Sequence, residues 1–171
     1  MSQLQVVEYQ DAWPAQFQHV AAELRPVFAP GAATVEHIGS TAVPGLCAKP
    51  VLDVLVGLER LGAAEQGRHA LATLGYVYRA EYEAQLPERR YFVRAEGRTP
   101  RVHLHCVLHE GRLWRQHIAF RDLLRHNPDV REEYTALKRR LAVAYAGDKQ
   151  RYTDAKAPFI ERIIAGAAGA A

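Results

Sequence analysis

The sequence predicts an α/β (α+β) fold: a mixed β-sheet of about five strands flanked by helices, followed by a helical C-terminal third. Three observations carry this reading. PVLDVLVGL (50–58) is a nearly continuous run of β-branched residues and leucine, the pattern of a strand buried on both faces. RVHLHCVLHE (101–110) alternates with a period of two, so that Val102, Leu104, Cys106 and Leu108 share one face and His103 and His105 the other. Beyond residue 110, apolar residues recur at helical spacing.

LQVVE (4–8) predicts a short strand. DAWPAQFQHVAAELRPVF predicts a helix, because Trp13, Phe17, Val20, Leu24 and Val27 recur every three or four residues; Asp11 is its expected N-cap and Pro14 falls in its first turn. ATVEHI (33–38) is a strand with poor alternation. Residues 59–74 predict a helix with Leu61, Ala64, Leu71 and Leu74 facing inward. YVYRA (76–80) and RRYFVRA (89–95) read as strands joined by a Pro-containing loop.

GRLWRQHIAFRDLLRHN predicts the next helix. A second follows, with Asn127 as N-cap, Pro128 at the first helical position, Gly147 as the stop, and Val130, Tyr134, Leu137, Leu141 and Tyr145 as the core stripe. A third starts at Asp148 and runs toward residue 165, with a break near Pro158. The tail, residues 166–171, is expected to fray.

With 171 residues, 49% of them apolar, the chain suits one domain spanning 1–171 with a real core. A net charge of +3 is compatible with phosphate-bearing ligands. It gives little support to nucleic acid as a partner, and no strand combines aromatic and basic residues in an RNA-binding motif. Cys47 and Cys106 have no zinc-ligand spacing. The N-terminus lacks the signal-peptide pattern, and no apolar run reaches about 18 residues, so a cytoplasmic protein without a membrane span is expected.

The chemistry concentrates in EHIGSTAVPGLCAKPVLDVLV, Glu36 to Val56. Aspartate is costly inside an apolar strand unless something pairs with it. Asp53 therefore either braces the Ser40–Val43 loop through hydrogen bonds or faces a cleft and holds something there. Gly39 lets backbone approach a ligand closely, and the Ser40 and Thr41 hydroxyls suit phosphate oxygens. Lys49 stands just before the buried strand, where an ammonium can meet a phosphate or simply be solvated. Phosphoryl or nucleotidyl transfer needs a phosphate cradle, cationic clamps and carboxylates that hold metal beside the reacting phosphate.

HIGSTAVPGLCAKPVLDVLVGL resembles the signature of the GrpB (UPF0157-type) family, a set of small bacterial proteins. The resemblance extends through EYQDAWPAQF, HLHCV, FRDLLRHNPDVREEYTALKRRLA and YTDAKAPFIERI, nearly the whole chain. It implies a nucleotidyltransferase-like fold of the polymerase-beta type, and a related domain is found fused to dephospho-coenzyme A kinase in some bacteria. That superfamily's pattern is an apolar residue, Gly, Gly or Ser, a spacer, then Asp-apolar-Asp. Ile38-Gly39-Ser40 and Asp53 match it, and Leu55 stands where the second carboxylate belongs.

The resemblance implies Asp53 as the catalytic carboxylate, with a nucleotide or other phosphorylated small molecule as partner. With one carboxylate missing, His103 and His105 are the candidates to complete a metal site for Mg, Mn or Zn, or else bind substrate without metal. His37, Gly39, Ser40, Thr41, Lys49, Arg90 and Lys156 are the candidate phosphate or nucleotide contacts, and Arg89, Arg94 and Arg101 could join Arg90 in gathering an anion. Glu36 or Glu81 could complete the site, while Arg121 and Asp122 read as an internal ion pair. The alternative is a module that keeps the fold and binds a ligand or partner without chemistry.

Overall fold

Two parallel strands, β2 (Val51–Leu58) and β5 (Arg101–Leu108), form the middle of a five-stranded mixed sheet. β1 (Thr34–Ile38) pairs antiparallel with β2, and β4 (Arg89–Arg94) with β5. β3 (Tyr76–Tyr78) closes the far edge, so the order is β1-β2-β5-β4-β3. The computed structural model describes residues 5–29, 34–94 and 100–168.

One face of the sheet is covered by α1 (Trp13–Leu24) and the short helices α2 (Gly62–Gln66) and α3 (Arg68–Thr73). The inward residues of β2 and β5 (Leu52, Val54 and Val56; Val102, Leu104 and Cys106) meet Trp13, Phe17, Val20 and Leu24 there in the main core. These side chains are the ones the period-two and period-3.6 patterns select. On the opposite face, α4 (Arg112–His126) covers only part of the sheet. Leu113 and Trp114 pack on Ile38, Leu55 and Val107. Gly57 permits this, since a Cβ there would meet the Trp114 ring at 2.6 Å.

The helical third continues with α5 (Pro128–Ala144), α6 (Lys149–Asp154) and α7 (Ala157–Ala168). Asn127 Oδ1 accepts from the Val130 amide and Asp148 Oδ1 from the Arg151 amide, so both expected caps are present. The Val43–Leu46 loop packs against Leu124, Tyr134, Phe159 and Ile163 of three of these helices. The uncovered half of the sheet and the helical third thus face each other across a cleft.

Several local expectations are corrected. Asp11 does not cap α1: Ala12 holds that position, without a side-chain bond. The 4–8 strand reduces to a single bridge between Val7 and Ala48, with residue 4 outside the described residues. The 59–74 helix is broken in two at Gly67, leaving Leu61 and Leu74 only half-buried. The 76–80 strand ends at Tyr78, where a turn of 3-10 helix takes over at Ala80. Leu108 is exposed, because it is the last residue of β5 and runs beyond the core. α5 ends at Ala144, before Gly147. Residues 166–168 are helical, so the expected fraying is not seen up to Ala168, and 169–171 lie outside the described residues.

Candidate functional site

Parallel pairing of β2 with β5 sets Asp53 directly beside His103 and Leu55 beside His105. All four side chains point away from the α1 core. Asp53 Oδ1 lies 3.5 Å from His103 Nδ1 and 3.4 Å from His105 Nε2. Burial pushes the Asp53 carboxyl upward, but hydrogen bonding to the two imidazoles outweighs it, and the net direction is strongly down. Asp53 is therefore an anion at neutral pH. Its side chain is 32% exposed, His103 34% and His105 11%, so the cluster forms the floor of the cleft, not part of the core.

Gly39 connects this floor to the turn. It has φ +70, and its backbone abuts the Asp53 carboxylate. Ser40–Ala42 forms one turn of 3-10 helix, and Ser40 and Thr41 line the cleft. Asp53 thus packs against Gly39 and faces the cleft, while its recorded polar contacts are with His103 and His105 and not with the Ser40–Val43 loop.

The cleft encloses about 450 Å³. Ser40 and Thr41 line one end, Arg89 and Tyr91 of β4 a second, and Gln150, Tyr152, Thr153 and Lys156 the helical wall. Lys49 and Lys156 lean over the Tyr152 ring, with Nζ 4.3 and 4.5 Å from its centroid. Lys138 is 2% exposed, and its Nζ donates to the Cys47 carbonyl and lies over the Tyr134 ring. Burial, reinforced by the neighbouring Lys156, lowers Lys49 to about 8. Burial alone dominates at Lys138, which falls to about 7, and it lowers Lys156 as well. Among the described residues of the lining, four cationic side chains (Lys49, Arg89, Lys138, Lys156) accompany one carboxylate, Asp53. Such a lining concentrates positive potential and suits an anion.

Of the residues anticipated from sequence, Ser40, Thr41, Lys49, Asp53, His103, His105 and Lys156 meet in this cleft, with Gly39 behind them. Arg90 does not. It lies one residue out of phase with Arg89 and Tyr91, projects to the opposite face, and pairs with Glu65 at 2.9 Å. His37 is also on the α1 side, stacked on Phe17, with Nε2 2.9 Å from Thr41 Oγ1. Burial lowers it to about 4, so it is a neutral brace under the turn. Arg94 is buried against Glu23, Glu36 pairs with Arg121, and Glu81 pairs with Arg79 away from the cleft. Arg121 also bonds Asp122, so the anticipated internal ion pair is present and wider than expected.

Sequence reasoning missed Lys138. It sits one turn beyond Tyr134 and three residues before Leu141, on the helix stripe itself, and a lysine at a core position was the available signal. Arg89 was anticipated only as one of four arginines. Its strand register singles it out.

Leu55 is fully buried among Ile38, Val107, Leu113 and Trp114, so this strand position offers no carboxylate. Among the described residues no three His, Cys, Asp or Glu side chains are placed to hold a metal ion. Nor is any helix there long and apolar enough to cross a membrane.

The structure of Cid1 in complex with its short product ApU superposes with a TM-score of 0.56 over 88% of this chain and 48% of its own, at 15% identity. That likeness is one of fold alone. The sequence profile of the GrpB protein family matches residues 3–165, and the chain belongs to that family. A crystal structure of GrpB from Enterococcus faecalis superposes with a TM-score of 0.86 over 95% of this chain and 96% of its own, at 35% identity. The glutamate-rich protein GrpB of Alkalihalophilus pseudofirmus is 32% identical over 163 residues, covering 93% of this chain and 92% of that one.

Proposed function

We propose that this protein binds a nucleotide or another phosphorylated small molecule in the cleft between the sheet and the C-terminal helices. The observation that carries the reading is the convergence of Lys49, Lys138 and Lys156 on a cleft whose lining, among the described residues, holds one carboxylate. A buried ammonium without an anionic partner is costly, and a bound phosphate removes that cost. Gly39, Ser40 and Thr41 supply close backbone and hydroxyls at the same place, and the nucleotidyltransferase-like fold supports a nucleotide as the class of ligand.

Within this reading the protein binds its ligand without transferring a nucleotidyl or phosphoryl group. The favouring observation is Leu55. Two-ion transfer relies on neighbouring carboxylates on one strand face, and here the second position is part of the apolar core.

A thermal-shift screen tests the proposal. The panel holds nucleoside mono- and triphosphates and coenzyme A precursors, each with and without magnesium, manganese or zinc. At a hundredfold excess over Kd, binding contributes about 2.7 kcal/mol, a rise of about 5–10 °C for a protein of this size. The rise is expected for phosphorylated compounds and not for the parent nucleosides, and Lys49→Met with Lys156→Met abolishes it. A well-folded protein unmoved by every phosphorylated compound contradicts the proposal.

A further inference from the structure

Both ring nitrogens of His105 are occupied. Nδ1 lies 3.4 Å from Arg89 Nη1. A guanidinium only donates and stays charged, so Nδ1 is the acceptor. The proton of the neutral ring is then on Nε2, which faces Asp53 Oδ1 at 3.4 Å. A metal takes an imidazole through a free lone pair, and this tautomer has none to offer. Asp53 Oδ1 is in turn shared between two imidazoles, and the Gly39 backbone crowds Oδ2. The hydrogen bonding of the cluster thus engages both nitrogens of His105, beside the position at Leu55 that offers no carboxylate.

The same cleft carries its positive charge on protein. Lys49 and Lys156 are held on Tyr152, and Lys138 on Tyr134. None of the three has a carboxylate within ion-pair distance among the described residues. Cations fixed in place on aromatic rings need no reorganisation when an anion arrives.

We propose that the cleft takes its phosphorylated ligand as the metal-free anion, with Lys49, Lys138 and Lys156 supplying the positive charge that divalent ions supply in a two-metal site. The inference rests on the phosphate-binding reading above and narrows the ligand to the uncomplexed phosphate or polyphosphate.

Titration calorimetry of the whole chain with ATP and with inorganic pyrophosphate, in EDTA and in excess magnesium, is the test. Binding in EDTA at least as tight as in magnesium is the expected result, since magnesium competes for the same oxygens. Lys138→Met is expected to weaken it about tenfold or more. Lys156→Met provides the same comparison should Lys138→Met fail to fold. Binding seen only with magnesium overturns the inference and leaves the phosphate-binding reading standing. So does stoichiometric uptake of manganese by the ligand-free protein that Asp53→Ala removes. Binding in neither buffer overturns both.

Discussion

The backbone of Gly39 runs so close to Asp53 that a Cβ at position 39 would lie 2.4 Å from Asp53 Oδ2. The positive φ of Gly39 has the same consequence, because L side chains avoid it. Gly39→Ala is therefore expected to destabilise the protein by about 2 kcal/mol or more, from strained backbone and displaced carboxylate together. Chemical denaturation measures the loss. Because Asp53 must move, the ligand-induced thermal shift is expected to fall as well.

Leu55 occupies the position where a second carboxylate would be expected, yet it is an integral core residue. Leu55→Asp places an unpaired charge against Ile38, Leu113 and Trp114. The expected result is a loss of several kcal/mol of stability and no gain of magnesium affinity. Differential scanning calorimetry with and without magnesium distinguishes this from a restored metal site, which would show stabilisation by the ion.

The lysines make the cleft sensitive to pH in a defined direction. Lys138 and Lys49 sit at about 7 and about 8, well under the ordinary lysine value of 10.5. A bound phosphate favours their charged forms. Affinity for a phosphorylated ligand is thus expected to fall progressively as pH rises from about 7, through the Lys138 and then the Lys49 value, as binding must take up protons. Folding stability moves the other way. Between pH 7 and 9 the unfolded chain holds lysine protons that the folded chain releases, so these groups make stability rise with pH. Lys138→Met is expected to flatten that rise in a comparison of melting temperatures across the window.

Arg121 ties β1 to α4 from beneath the turn. Its Nη1 donates to Glu36 Oε2 at 2.6 Å and to the His37 carbonyl at 3.1 Å, and its Nε donates to Asp122 at 2.7 Å. Arg121→Met leaves these acceptors without their donor. A loss of about 2–3 kcal/mol is expected, discounted because both carboxylates are partly solvated. The melting temperature should fall by about 5–10 °C.

Much of this was legible because the signal was local. An aspartate inside VLDVLV announces a side chain with a purpose, and the strict alternation of VHLHCV puts two histidines on one face. What was not legible depends on register and on packing between distant segments. Nothing in RRYFVR says which arginine faces the cleft; pairing of Tyr91 with His105 decides it, choosing Arg89 over Arg90. His37 precedes the turn directly, but strand alternation sends it to the α1 face, where it supports Thr41 from behind. Lys138 reaches the cleft only because α5 packs on the Val43–Leu46 loop, which presents the Cys47 carbonyl to it. The Gly67 break in 59–74 was concealed by apolar residues at helical spacing on both sides of it.

The most direct measurement is chemical-shift mapping of the ¹⁵N-labelled protein titrated with ATP in EDTA. Saturable shifts are expected at the amides of Ser40, Thr41, Lys49, Gln150 and Thr153, around the three lysines. Shifts confined to the separate cleft lined by Tyr9, Phe17, Arg125 and Arg131, or no saturable shift at any amide, would contradict a phosphate-binding role for the Asp53 cleft.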